Sequence, residues 1–108
     1  MITVNLYYTG KNGSARAFCH EMESSGVADE IRSESGNLRY QYFQSLSDPE
    51  TVLLIDSWKD QAALDAHHAS PMMARIAALR EKYDLHMTVE RYVSYEEDGY
   101  NDDRFIRK

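Results

Sequence analysis

One stretch of the chain, residues 51–71, constrains the fold more than any other. It begins with a continuous aliphatic run over residues 52–55, a pattern typical of a strand whose two faces are both buried. Trp58 closes the run, and Asp60 is a residue type that commonly caps the N-terminus of a helix. We therefore expect a buried strand that leads directly into a short helix.

The predicted short helix carries two adjacent histidines. Leu64, His67 and His68 are spaced i, i+3 and i+4, which places their side chains on one helix face. Because histidine titrates near neutral pH, His67 and His68 are the natural candidates for a proton-transfer group. Beyond them, Ser70 as cap and Pro71 at the first helical position predict the start of another helix.

Composition and charge exclude several classes of protein. With 108 residues, 43% hydrophobic and 28% charged, the chain suits one globular domain with a single core. A net charge of -6 and a pI near 5.1 argue against nucleic-acid and anionic-membrane partners, because there is no basic patch to release counterions. Cys19 is the only cysteine, so we predict no internal disulfide, and no metal site has recognisable ligand spacing. Without a signal peptide pattern or a membrane-length apolar run, we expect a cytoplasmic protein.

Periodicity along the rest of the chain predicts four strands and the helices between them. The expected elements are a strand over residues 2–8, a helix over residues 15–33 that is either continuous or briefly broken, a strand over residues 38–45, the strand and short helix described above, a helix to about residue 82, and a strand over residues 85–95. In the second strand, Leu38, Tyr40 and Tyr42 should share one face. The Asp48-Pro49 pair predicts a hairpin turn between the second and third strands.

The order β-α-β-β-α-β predicts an α+β fold of the ferredoxin-like type, with one antiparallel four-stranded sheet and its helices on one face. The other sheet face then lacks a cover. Because the third strand is apolar on both sides and the chain has 8 tyrosines, we expect this face to pack on a second copy, giving a homodimer. The folded domain should span residues 1–95. Residues 96–108 form a charged C-terminal tail, either frayed or anchored through Phe105 and Ile106.

Several of these features occur together in a known family. They are the glycine-led strand start GNLRY at residues 36–40, Asp48-Pro49, the aliphatic strand ending in Trp58, Ala66-His67, and Ser70-Pro71. In this order and spacing they resemble the antibiotic biosynthesis monooxygenase (ABM) family, including its quinol monooxygenase-like members, over residues 2–95. The resemblance implies a ferredoxin-like dimeric α/β barrel with a pocket between sheet and helices in each subunit. For many members it also implies oxygenation of polycyclic phenols or quinols without a metal or flavin. For this chain we expect a small aromatic phenol or quinol as substrate, dioxygen as oxidant and no cofactor.

The resemblance and the residue chemistry together suggest a site. A deprotonated, electron-rich phenol can pass an electron to dioxygen itself, so the protein needs a dry aromatic slot, a base and hydrogen-bond donors. We expect His67, the family's recurrent helix histidine, to be the catalytic base. Asn5 either hydrogen-bonds a substrate oxygen or the developing anion, or points away from the pocket, because it alternates with Val4 and Leu6. The expected substrate-binding residues are Trp58, Tyr40, Tyr42, Phe18 and His68. Each also has a structural interpretation: Trp58 as a packing anchor, His67 as a helix-end partner, and Asn5 as a polar residue on a half-wet strand face.

Other branches of the family fit less well. The haem-degrading branch has a tryptophan where this chain has His67, and its haem-ligating histidine falls near Ala77. The polyketide-oxygenase branch uses an asparagine and a tyrosine at the positions of Leu54 and Leu64. Two other functions stay open: an isomerase of a small sugar-derived or carbonyl metabolite, using the same histidine in a polar pocket, and a non-catalytic small-molecule-binding dimer. The tyrosines of the second strand favour the oxygenase.

Overall fold

A computed structural model describes residues 1–95 and 102–108 of the chain. Its elements are β1 (Ile2–Thr9), α1 (Ser14–Ser24), α2 (Val27–Arg32), β2 (Asn37–Gln44), β3 (Thr51–Trp58), α3 (Gln61–His68), α4 (Met72–Lys82), β4 (His86–Val93) and a 3₁₀ turn (Asp103–Phe105). The order is the predicted β-α-β-β-α-β, with each helical region divided in two. Among the helices described, none has both the length and the apolar character needed to cross a membrane.

The four strands form one antiparallel sheet in the order β2-β3-β1-β4. In the register of β1 and β3, Ile2 lies opposite Trp58 and Thr9 lies opposite Thr51. β2 and β3 are antiparallel neighbours, as the predicted hairpin requires. The predicted ferredoxin-like α+β fold is therefore confirmed, with β1 and β3 in the centre and β2 and β4 at the edges.

Alternation along the central strands separates a helix-covered face from an open face. Leu6 and Leu54 lie opposite each other and belong to the core that the helices cover. Asn5 and Ile55 lie opposite each other on the open face, where they are half-buried. The core therefore lies between the sheet and the four helices. Its largest fully buried side chains are Trp58, Tyr8, Phe18, Met22, Ile31, Leu54, Leu64, Ile76 and Val27.

Both helical regions are interrupted by a residue that disrupts regular helix geometry. Gly26 adopts a φ of 84°, in the left-handed region that glycine tolerates, and separates α1 from α2. This is the briefly broken helix that the sequence allowed. The predicted serine cap of α4 is wrong: Pro71 occupies the N-cap position, without a side-chain cap bond, and the buried Ser70 hydroxyl has no partner among the described residues.

Two strand predictions also need correction. Leu38 does not share a face with Tyr40, because the register shifts between Asn37 and Arg39, leaving Leu38 57% exposed and Tyr40 4% exposed. β4 is shorter than predicted, and all its residues are exposed because it is an edge strand that packs mainly on β1.

Part of the predicted tail, residues 96–101, lies outside the described residues. In the part that is described, Phe105 and Ile106 are 72% and 53% exposed, so neither is buried against the chain's own core.

Candidate functional site

Among the concave regions of the described chain, three have nearly equal volumes. An edge groove of about 350 Å³ lies between α1 and β2, and an open-face depression of about 360 Å³ surrounds Asn5. The third, here called the helix-side pocket, has a volume of about 330 Å³ and lies between the sheet and helices α3 and α4. Because the three volumes are similar, we choose the candidate site by the chemistry of the residues that line each cavity. The helix-side pocket is the candidate site because it gathers buried titratable groups, including His67 and Asp56.

The walls of the helix-side pocket are mainly apolar, with a few charged and polar groups between them. The lining residues are Val4, Leu6, Tyr40, Leu54, Asp56, Leu64, His67, His68, Met73, Ile76, Arg80, Met87, Val89 and Arg91. An apolar cavity with a small number of converging polar groups is the usual form of a small-molecule site.

Helix α3 places its histidines at the pocket wall. The carboxylate of Asp60 accepts a hydrogen bond from the backbone N–H of Ala63 at 2.9 Å, so the predicted cap is confirmed. Leu64 then packs into the core at 1% exposure, and His67, one turn later on the same face, is 5% exposed. His68 is exposed, with its ring centroid 5.7 Å from that of His67.

His67 is held between an aromatic ring and a carboxylate. It stacks on Trp58 with ring centroids 4.7 Å apart and planes inclined by 27°, while its Nδ1 lies 2.6 Å from Oε2 of Glu34. Burial lowers the pKa of His67, and the Glu34 carboxylate opposes that change. The neutral ring donates its Nδ1–H to Glu34, which leaves Nε2 as a proton acceptor. This is the arrangement of a general base oriented by a carboxylate.

Glu34 can reach His67 because the next loop residues approach α3 closely. Gly36 has a φ of 85°, and a Cβ atom there would lie 2.5 Å from the Cβ of Ala63. The Gly36 carbonyl oxygen also accepts a hydrogen bond from the backbone N–H of Lys59, with an N–O distance of 2.8 Å. This bond joins the loop to the end of β3. Only glycine satisfies both the left-handed backbone and the close contact. The glycine of the GNLRY segment therefore supports the Glu34–His67 contact.

Asp56 places a second ionisable group in the same pocket. It lies on the helix-covered face of β3, where its strand neighbours are apolar, and is 6% exposed. Its Oδ1 atom makes no hydrogen bond to any described residue. Burial raises the pKa of Asp56, the Trp58 indole and Arg80 lower it, and the Glu34 carboxylate raises it; together they bring the pKa from 3.8 to about 7. Near neutral pH the carboxyl group is therefore present in both protonation states.

Arg80 brings positive charge to the pocket. Its Nη2 donates a hydrogen bond to the hydroxyl of Tyr8 at 2.9 Å, and its guanidinium carbon lies 5.5 Å from the Tyr8 ring centroid. Its Nε is buried and has no partner within the described chain. Arg91, on β4, also lines the pocket and donates to the side chain of Gln61. Two arginines can therefore stabilise a negative ligand oxygen.

The structure brings three of the predicted site residues together. His67, His68 and Tyr40 all line the helix-side pocket. Trp58 does not line it, since it is fully buried behind the His67 ring. Trp58 therefore contacts the site by stacking on His67, and this packing orients the histidine ring.

The other predicted residues lie away from the helix-side pocket. Phe18 is fully buried in the core, and Tyr42 lines the edge groove. Asn5 lies on the open face because it occupies an odd position of β1, whereas the even positions face the helices. The expected aromatic slot is thus a mixed wall of aliphatic and charged residues, with Tyr40 as its tyrosine.

Sequence reasoning missed four charged residues of the site: Asp56, Arg80, Arg91 and Glu34. Asp56 leaves a detectable signal, because a carboxyl group interrupts a strand that is otherwise apolar on that face. Arg80 follows Ile76 by four residues, which places it on the same side of α4. Glu34 carries no periodic signal, since it belongs to a loop. Within residues 1–95 and 102–108, no group of three or more histidine, cysteine, aspartate or glutamate residues is arranged to hold a metal ion.

Comparison with known proteins finds a family model, a sequence relative and structural neighbours that are all described as monooxygenases or oxygenases. The family model described as "Antibiotic biosynthesis monooxygenase" matches residues 1–79. A Bacillus subtilis (strain 168) protein named "Putative monooxygenase YcnE" is 29% identical over 68 residues, covering 63% of this chain and 70% of its own length. The structure of a "putative antibiotic biosynthesis monooxygenase" from Deinococcus radiodurans has a TM-score of 0.78 at 19% identity, covering 94% of this chain and 99% of its own. A variant of SnoaB, described as a cofactor-independent oxygenase from Streptomyces nogalater, has a TM-score of 0.73 at 15% identity, covering 92% and 97%. At these identities the two structural likenesses show the fold.

Proposed function

The chain belongs to the antibiotic biosynthesis monooxygenase family, and from this premise we propose that it is a cofactor-independent monooxygenase of a small phenol or quinol. The helix-side pocket carries the proposal: it is a mainly apolar cavity with a buried histidine whose Nε2 is available to accept a proton. A relative named a monooxygenase and a structural neighbour described as a cofactor-independent oxygenase support the same reaction class.

In the proposed mechanism, His67 acts as the general base. Its Nε2 takes the proton of the substrate hydroxyl, while Glu34 holds the ring and stabilises the imidazolium that forms. Arg80 and Arg91 stabilise the resulting phenolate. The electron-rich phenolate passes one electron to dioxygen, and the two radicals combine to form a carbon–oxygen bond.

The overall reaction balances without a further reductant. With naphthol as substrate, one dioxygen molecule gives naphthoquinone and water: one oxygen atom enters the ring, and the other leaves as water. The substrate supplies all four electrons, through its hydroxyl group and one ring C–H bond. Positioning, a base and charge stabilisation are the contributions that the chain must make.

We further propose that the protein is a homodimer formed through the open face of the sheet. Leu53 lies on this face, opposite Tyr7 on β1 and Phe43 on β2, and together they form an apolar patch without a helix over it. Leu53→Lys should shift the sedimentation of the protein from dimer to monomer. Ala78→Lys, which adds the same charge on the exposed side of α4, should leave the dimer intact. A monomeric wild type at micromolar concentration would remove this part of the proposal.

Dioxygen uptake by the metal-stripped protein tests the reaction. Naphthol, hydroquinone and resorcinol form a suitable substrate panel. His67→Ala should lower uptake by about 10²-fold or more, since general base catalysis contributes about 10²- to 10⁴-fold. His20→Ala is the matched control, because His20 is an exposed histidine on α1, away from the helix-side pocket.

The outcomes separate the possible functions. Uptake that survives metal removal and falls only in the His67 variant supports the oxygenase. Equal uptake in both variants would remove His67 from the mechanism. Naphthol binding without any reaction would indicate a protein that only binds its ligand.

A second candidate, an isomerase of a small carbonyl metabolite, is favoured by one specific observation. The pocket wall carries Asp56, His67, Arg80 and Arg91, and is more polar than an aromatic slot. Such groups suit proton transfer next to a carbonyl and binding of an anionic substrate. Deuterium incorporation from heavy water into dihydroxyacetone phosphate, lost in His67→Ala, would support this candidate over the oxygenase.

A further inference from the structure

The proposed mechanism assigns the helix-side pocket a base but leaves its buried carboxyl group unused. We propose that Asp56 is the acid of this pocket, which donates a proton to the ligand oxygen on the side of the sheet, while His67 accepts one on the side of α3. The identity of that oxygen rests on the proposed function. In the oxygenase it is the oxygen that leaves as water.

The position of Asp56 supports a role in contact with the ligand. The side chain lines the cavity together with His67 and Tyr40, and Asp56 is only 6% exposed. Oδ1 is buried with no hydrogen-bond partner among the described residues, and Arg80 donates to the Tyr8 hydroxyl. Buried polar atoms in proteins nearly always have partners, so an orphaned oxygen at a cavity wall indicates a place for a ligand group.

A purely structural role explains Asp56 poorly. A buried carboxyl group with an unpartnered oxygen destabilises the fold, and an apolar residue would fill this strand position at lower free energy. The neighbouring groups do not neutralise it. The Trp58 indole and Arg80 favour its charged form, whereas Glu34 repels it. The hydroxyls of Tyr8 and Tyr40 accept hydrogen bonds from Arg80 and Tyr42. Burial keeps the group partly protonated near neutral pH, which is the state that an acid needs.

The chemical steps balance when Asp56 donates its proton last. The phenolic proton held by His67 first passes to the terminal oxygen of the carbon-bound peroxide. The oxygen–oxygen bond then breaks, the electron pair of the ring C–H bond forms the new carbonyl, and the C–H proton goes to His67. The departing hydroxide takes the proton of Asp56 and leaves as water. Solvent then carries the proton of His67 back to Asp56, and the pocket returns to its starting state.

Kinetics of Asp56→Asn with naphthol and dioxygen test the assignment. Asn keeps the size of the side chain but has no acidic proton, so kcat should fall by about 10²-fold while the Kd for naphthol changes little. Asp56→Glu should recover part of the rate. Asp65→Asn is the matched control, because Asp65 is an exposed carboxylate on α3 that bonds to Gln61. Unchanged kcat in Asp56→Asn would overturn the proposal.

An infrared measurement tests the contact independently of turnover. The carbonyl stretch of the protonated Asp56 carboxyl, identified by its loss in Asp56→Asn, should shift when naphthol binds anaerobically. If the wild type takes up no dioxygen with any substrate, the proposed oxygenase fails, and a shifted band still supports Asp56 as the pocket's acid. If the band does not shift when naphthol is bound in the pocket, the assignment of Asp56 as the acid is overturned, whether or not the protein takes up dioxygen.

Discussion

Asp56→Asn is expected to stabilise the protein increasingly as the pH rises. In the wild type, burial raises the pKa of Asp56 from 3.8 to about 7. Each pKa unit corresponds to about 1.4 kcal/mol, so the full change is worth roughly 4 kcal/mol of unfolding free energy. Because relaxation and water entry reduce the penalty of a buried charge, we expect a gain of about 2 to 4 kcal/mol.

The sign of the pH dependence follows from proton binding. Below about pH 4 the group is protonated in both the folded and the unfolded chain, so its ionisation has no effect on stability. Between about pH 4 and about pH 7 the unfolded chain loses the proton while the folded chain keeps it, and stability falls. Above about pH 7 both forms are ionised, and the loss is complete. The amide of Asp56→Asn does not ionise, so its contribution to the free energy of unfolding is the same at every pH.

Urea denaturation at about pH 5 and about pH 8.5 measures this difference. The fluorescence of Trp58, the only tryptophan, reports unfolding. All samples have the same protein concentration, so that self-association contributes equally to each measured stability. The stability of Asp56→Asn relative to the wild type should be greater at the higher pH. A difference that stays constant or shrinks as the pH rises would refute the assignment of Asp56 as a buried group that keeps its proton. Asp65→Asn should show no comparable change.

Three further predictions concern the residues that position the base. Glu34→Gln should lower the pKa of His67, because the carboxylate favours the protonated ring; an NMR titration that shows an equal or higher pKa would contradict this. Gly36→Ala should lower the unfolding free energy by more than Gly26→Ala does, since both positions carry the left-handed strain of about 1 to 2 kcal/mol, but only Gly36 would also place a Cβ against α3. Equal losses in thermal or urea unfolding would show that the contact is unimportant. Asp60→Ala should cost about 1 kcal/mol by removing the α3 cap; an unchanged unfolding free energy would contradict the cap.

The sequence predicted the local elements of this protein well, because local elements depend on periodicity. Alternation and helical spacing gave all four strands, and Asp60 marked the start of α3. The spacing of Leu64 and His67 gave the buried side of that helix. These patterns reflect the backbone geometry of neighbouring residues, so they can be recognised without knowledge of the rest of the chain.

Residue type alone was a poor guide to which side chains meet in the pocket. Tyr42 and Phe18 are aromatic, as the expected slot required, but Tyr42 lies at the edge groove and Phe18 is enclosed by the core. Asn5 was a candidate donor, and the structure places it on the open face, which strand alternation had left as the alternative. Whether a side chain reaches a cavity depends on the register of distant strands and on which face the helices cover.

The order of elements, the ferredoxin-like architecture and the position of His67 on a short helix all follow from the amino-acid pattern. The contact of Glu34 with His67, across 33 residues of chain, and the packing of Trp58 behind that ring depend on the folded arrangement. It also decided the ionisation of Asp56, because desolvation and neighbouring charges arise only when β3 is covered by helices from other parts of the chain. The physical reason is that local geometry follows from nearby residues, whereas burial and electrostatics follow from contacts between residues far apart in the sequence.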